Sequence, residues 1–192
     1  MGIREVRGCV KYLAIAGAAL ALCLGVTGAG VAQTGRPVQV AVSAGVILPT
    51  GDLVENADPG YRLGADVIVQ LGSSPVALRA GAAYDRLAHA HEHQDGAEDG
   101  GYRQVAGTLD VLYRLPGLIA MPYLLAGVGV FDLDQPADHG SGESRTGAGF
   151  NLGVGIDFPV AGRIAFLEAR WQHASIAGET SRFLPLTLGF RF

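Results

Sequence analysis

Three histidines stand at alternate positions in the stretch HAHEHQDGAEDGG: His89, His91 and His93. Successive side chains of an extended strand point to opposite faces, so imidazoles at this spacing share one face if the strand continues through them. They would then be placed to hold Zn²⁺ or Ni²⁺, with Glu92 or Asp95 close by. The same residues also read as a solvated, acidic, glycine-rich loop, and a loop without fixed geometry cannot preorganise ligands. A second set of residues carries charge. Arg62, Arg79, Arg114, Arg170 and Arg191 fall on the polar phase of alternating segments, as do Asp66, Asp85, Asp110, Asp157 and Glu168. Opposite charges held out of bulk water are tolerable only when paired, so this set implies a confined, ion-paired interior. No phosphate-binding loop, flavin or nicotinamide fingerprint, or basic–aromatic stripe occurs, and no cofactor is expected.

These residues need elements to position them, and the first 32 residues are not among those elements. Arg4, Arg7 and Lys11 precede an apolar run from Leu13 to Val26, and small residues lead to Ala32. That is the layout of a secretory signal peptide cleaved after Ala32, with 33–192 as the mature domain. A retained anchor is the rival reading of the run, and a lipoprotein signal at Cys23 is disfavoured by the bulky Leu22 before it. Both cysteines, Cys9 and Cys23, leave with the signal, so the mature chain has no disulfide and no thiol chemistry. It then carries 11 basic and 17 acidic residues, a net charge of −6, which gives no reason to expect nucleic acid.

Beyond residue 33 no apolar run is long enough for a membrane helix, although 49% of the chain is hydrophobic and only 17% charged. The apolar residues are dispersed in alternation instead. Tyr61, Leu63, Ala65, Val67, Val69 and Leu71 oppose Arg62, Gly64, Asp66, Ile68 and Gln70. Ala148, Phe150, Leu152, Val154, Ile156 and Phe158 oppose Gly149, Asn151, Gly153, Gly155 and Asp157. In the closing stretch FLPLTLGFRF, Leu184, Leu186, Leu188, Phe190 and Phe192 oppose Pro185, Thr187, Gly189 and Arg191. Eight such strands are expected, starting near residues 38, 61, 76, 102, 120, 148, 163 and 183. The fifth, about Ala120 to Phe131, is too apolar for its facing to be assigned. Long polar loops are expected after strands one, three, five and seven, and short turns after two, four and six.

This rhythm predicts an all-β fold, an eight-stranded antiparallel up-and-down transmembrane β-barrel with apolar side chains facing lipid. An eight-stranded barrel is just wide enough for side chains to fill, so a plugged interior without a large pore is expected. The inward glycines would make room for the arginines or else permit strand curvature.

The exported start, the opening AGVILPTGDL, the PYLLAGVGV strand and the terminal PLTLGFRF resemble the outer-membrane β-barrel-domain family, the OmpA- and OmpX-like barrels also labelled porin family. The resemblance covers the mature chain and implies residence in the outer membrane. It also implies insertion by the barrel-assembly machinery, which would read the aromatic end of the last strand, Phe190 and Phe192. No carboxy-terminal peptidoglycan-binding domain is expected. The implied role is structural or surface-interacting, with a monomeric barrel touching outer-membrane lipid and lipopolysaccharide. The acidic residues Asp95, Glu98, Asp99, Asp132, Asp134, Asp138 and Glu143 would either bridge to lipopolysaccharide through divalent cations or form plain solvated loops.

One further run, His173-Ala-Ser175-Ile-Ala177-Gly178, is similar to the active-site strand of the lipid A deacylase barrels. That resemblance implies Ser175 as nucleophile and His173 as base, both facing lipid. Ile176 stands where that family has asparagine, and the last strand offers no outward acid to orient the histidine. A lipid esterase is therefore the alternative function and a narrow channel the third. If neither holds, Trp171 and His173 belong to an interfacial aromatic girdle.

Overall fold

The computed structural model describes residues 37–50, 57–89, 103–116, 119–135, 143–176 and 179–192. They form eight strands: β1 (Val38–Thr50), β2 (Ala57–Gln70), β3 (Val76–His89), β4 (Arg103–Arg114), β5 (Met121–Gln135), β6 (Glu143–Val160), β7 (Arg163–Ile176) and β8 (Glu179–Arg191). Each pairs antiparallel with its neighbours in sequence, and β8 closes on β1, so the sheet is a closed up-and-down barrel. At the seam Phe192 donates its N–H to the Val40 carbonyl at 2.9 Å, and Val40 donates back at 3.3 Å. A closed barrel leaves no unpaired sheet edge.

Cross-strand partners fix how the strands lean. From Val40 the row passes through Val67, Ala80, Leu109, Val128, Phe150, His173 and Arg182, and it returns to β1 at Thr50, ten residues further along. A stagger of that size in eight strands corresponds to a tilt of about 40° from the barrel axis.

The alternation sorts side chains between two environments. Outside are exposed apolar residues, including Val42, Leu63, Leu109, Val128 at 62% and Leu188 at 57%. Inside are most of the buried charges. The facing of β5 follows from its pairing: Tyr123, Leu125 and Phe131 are buried within, while Leu124, Ala126, Val128 and Val130 face out. Phe183 also turns inward and is fully buried.

Several boundaries differ from those expected. β2 begins at Ala57, four residues early, and accommodates Pro59 at a register shift between Asp58 and Gly60. Proline is tolerated there because a bulge frees it from donating to the ladder. β5 and β6 stay paired up to Gln135 opposite Glu143, so Asp132, Asp134 and Glu143 belong to strands and not to a loop. β7 and β8 likewise stay paired up to Ile176 opposite Glu179, and their connection is short instead of long. In each case the ladder outlasts the apolar pattern. Alternation reports what lies outside the barrel, whereas backbone pairing continues past the lipid level.

Candidate functional site

The interior is arranged in layers along the barrel. At its middle, Arg79 of β3 reaches three carboxylates. Its Nη1 donates to Glu168 Oε2 at 2.8 Å, its Nε donates to Asp110 Oδ2 at 3.0 Å, and Asp66 Oδ1 lies 3.9 Å away. Glu168 also accepts from Tyr123 Oη at 2.7 Å and from Arg170 Nε. Arg170 Nη1 in turn reaches Asp110 Oδ2 at 3.3 Å. One step toward the loop end, Arg62 donates to Gln172 Oε1 at 2.9 Å and lies 3.5 Å from Asp85, which accepts from Gln104 at 3.0 Å. Arg79, Asp110 and Glu168 are each only 2% exposed.

An apolar layer separates this cluster from the turn end. Ile68, Ala77, Leu112 and Phe166 each lie two positions along their strand from Asp66, Arg79, Asp110 and Glu168, and they are buried together with Tyr123 and Leu125. Beyond them Arg191 pairs with Asp157, Arg114 Nε lies 3.9 Å from the same carboxylate, and Arg114 donates to Gln70. The Arg191 guanidinium sits 5.0 Å from the Tyr123 ring centre and 4.9 Å from that of Phe166, so aromatic faces back the cation. Toward the loop end two further apolar clusters fill the lumen: Ile47 with Leu87 and Phe183, and Phe131 with Ala106, Ala174 and Ile176. Charges thus lie between greasy layers, where an unpaired ion would be costly. A cavity of about 20 Å³ beside Ser43, Arg62, Asp66, Thr108, Arg170 and Thr187 has room for about one water molecule.

All ten charged residues singled out from the sequence therefore lie inside and touch at least one opposite charge. The glycines make room for other partners as well. A methyl group on Gly155 would strike the Tyr123 ring and one on Gly189 the Phe166 ring, whereas at Gly153 it would meet the Ala169 carbonyl first, then Leu125 and the stem of Arg170. Tyr123, Gln104 and Gln172 complete the network without having been singled out. Tyr123 lies on the strand whose two faces are both apolar, so only its pairing reveals its facing. Gln104 and Gln172 sit on the polar phase of β4 and β7, and that phase was the available signal.

On the outer face of β7, His173 and Ser175 both point away from the lumen. The His173 ring lies 5.0 Å from Phe150 and 5.8 Å from Trp171. Opposite them on β8 stand Arg182, across from His173, and Thr180, across from Ser175. Among the described residues no hydrogen bond joins His173 to Ser175, and His173 Nδ1 has no hydrogen-bond partner. The outward positions of β8 from Thr180 on are Thr180, Arg182, Leu184, Leu186, Leu188, Phe190 and Phe192, none of them an acid. His89 ends β3, its backbone opposite Ala57, while His91 and His93 lie outside the described residues. Asp95, Glu98, Asp99 and Asp138 lie outside them too. Among the described residues no group of three or more His, Cys, Asp or Glu could hold a metal ion.

A family model described as outer membrane protein beta-barrel domain matches residues 16–192. Among solved structures, Neisserial surface protein A superposes with a TM-score of 0.66 at 13% identity, over 81% of this chain and 96% of that one. The N-terminal β-barrel domain of Pseudomonas aeruginosa OprF gives 0.51 at 15% identity, over 83% and 100%. The outer membrane enzyme PagL gives 0.51 at 19% identity, over 80% and 98%. No curated protein sequence matches the chain. At these identities the likeness to solved structures is one of fold.

Proposed function

This chain belongs to the outer membrane protein β-barrel domain family, and on that premise we propose that it is a small monomeric outer-membrane barrel with a structural or surface-interaction role. The observation that carries this reading is the filled lumen, where Arg79 ties Asp66, Asp110 and Glu168 together between apolar layers. Residues 1–32 serve export, and Phe190 and Phe192 serve recognition by the barrel-assembly machinery. The loop end then faces the exterior, because barrels of this kind place their longer loops outside. The test is swelling of liposomes loaded with the folded protein. We expect no flux of small sugars or amino acids above that of empty vesicles, with heat-modifiable migration in SDS gels as the check of folding. Flux that rises with protein content would replace this reading by the narrow channel.

A second reading is favoured by the outward pairing of His173 with Ser175 on one strand face. It makes the chain a lipid esterase with Ser175 as nucleophile. Loss of ester-linked acyl chains from lipid A, abolished by Ser175→Ala, would carry that reading. An unchanged acyl content removes it.

A further inference from the structure

We propose that the outer face of the barrel holds one acylated, phosphate-bearing lipid of the outer leaflet, its phosphate on Arg182 of β8 and a hydrocarbon chain in the groove that leads from there across β7 to β4. The inference rests on the outer-membrane reading above.

Two observations meet at this place. The first is a polar quartet set by strand register: His173 faces Arg182, and Ser175 faces Thr180. Immediately below it the outer face turns apolar on both strands, with Trp171, Ala169 and Leu167 on β7 and Leu184, Leu186 and Leu188 on β8. Among the described side chains no carboxylate pairs with Arg182. Its guanidinium is a planar fork of donors suited to phosphate oxygens, and the hydroxyls of Ser175 and Thr180 and an imidazole N–H can add further bonds. The short β7–β8 connection leaves this quartet at the rim, above the apolar outer face.

The second observation is an open groove of about 640 Å³ on the lipid side of the wall. Its walls include Val111, Tyr113, Leu124, Leu152 and Val154, and the small Ala126 and Ala169 lower its floor. It ends at Trp171 and Leu184, the next outward residues below His173 and Arg182. From Leu184 on β8 to Val111 on β4 the groove crosses four strand spacings of about 4.8 Å, roughly 20 Å in all, the reach of one extended acyl chain. Charge at one end and a greasy trough leading from it across β7, β6, β5 and β4 match a lipid with a phosphorylated head. Arg86 and Arg103 also face each other outward at the loop end.

Among the described side chains no outward acid orients His173, so the geometry assigns holding and not cleavage to Ser175. The experiment is native mass spectrometry of the refolded full chain in detergent, titrated with lipid A before and after enzymatic removal of its phosphates. The phosphorylated probe should bind as one molecule per barrel, roughly tenfold more tightly than the dephosphorylated one. Arg182→Ala with His173→Ala should erase that preference. Arg163→Ala at the opposite end should keep it. Equal binding of both probes by the unaltered barrel overturns the site, as does a preference that survives Arg182→Ala with His173→Ala or falls equally with Arg163→Ala. A chain that binds without preference yet migrates heat-modifiably loses only this inference. A chain showing no heat-modifiable migration loses the barrel reading with it.

Discussion

Arg79 is the side chain on which the lumen depends most, because it meets three carboxylates at once, two of which it shares with Arg170. Removing one partner of a buried ion cluster leaves the rest uncompensated, a loss of about 3–5 kcal/mol. We expect Arg79→Met to lower the unfolding free energy of the vesicle-bound barrel by that amount, read as a lower urea midpoint. Arg79→Lys should rescue little of it, because an ammonium cannot serve Asp110 and Glu168 with separate nitrogens in fixed directions. A midpoint equal to that of the unaltered protein would show that the cluster contributes nothing net. The charged residues were legible in the sequence because each sits on the polar phase of an alternating strand. Tyr123 was not, since Leu124 and Leu125 on either phase look alike until β4 and β6 are in place. Arg182 and Thr180 were hidden for another reason: they precede the apolar run of β8 and read as loop.

At the scale of elements, the tightest constraint lies in the turn between β6 and β7. Ala161 and Gly162 both have positive φ, 49° and 77°, as a two-residue hairpin whose twist matches its strands requires. Glycine is at ease there and alanine is not, because its Cβ crowds the following carbonyl. Ala161→Gly should therefore stabilise the barrel by up to about 1 kcal/mol, read as a higher urea midpoint. A lower midpoint would mean that chain entropy in the unfolded state outweighs the strain. Turns and lipid-facing faces were the most readable elements. The strand ends toward the loops were not, because Asp132, Asp134 and Glu143 signal solvent although their backbones stay in the ladder.

For the molecule as a whole, strand number and closure follow from eight alternating segments, but the layering does not. Which inward residues share a level depends on the ten-residue stagger, and that emerges only from the paired strands. The layers also tie every strand to the same filling, so local loss of structure would expose the shared charges. We expect unfolding followed by the fluorescence of Trp171, the single tryptophan, to coincide with the loss of backbone circular dichroism. Two separated transitions would show a wall that parts from its filling.

The bonds between Val40 and Phe192 join strands at opposite ends of the described chain, whereas every other ladder joins sequence neighbours. Hairpins can therefore form one after another as the chain is delivered, yet each growing sheet carries two raw edges. Hydrocarbon offers those edges no partner, at a cost of several kcal/mol for each group left bare. Only the last ladder removes both edges, and it removes them together. No half-built wall is tolerable in the bilayer, so the moment of entry is timed by the arrival of β8, however long the other strands have waited.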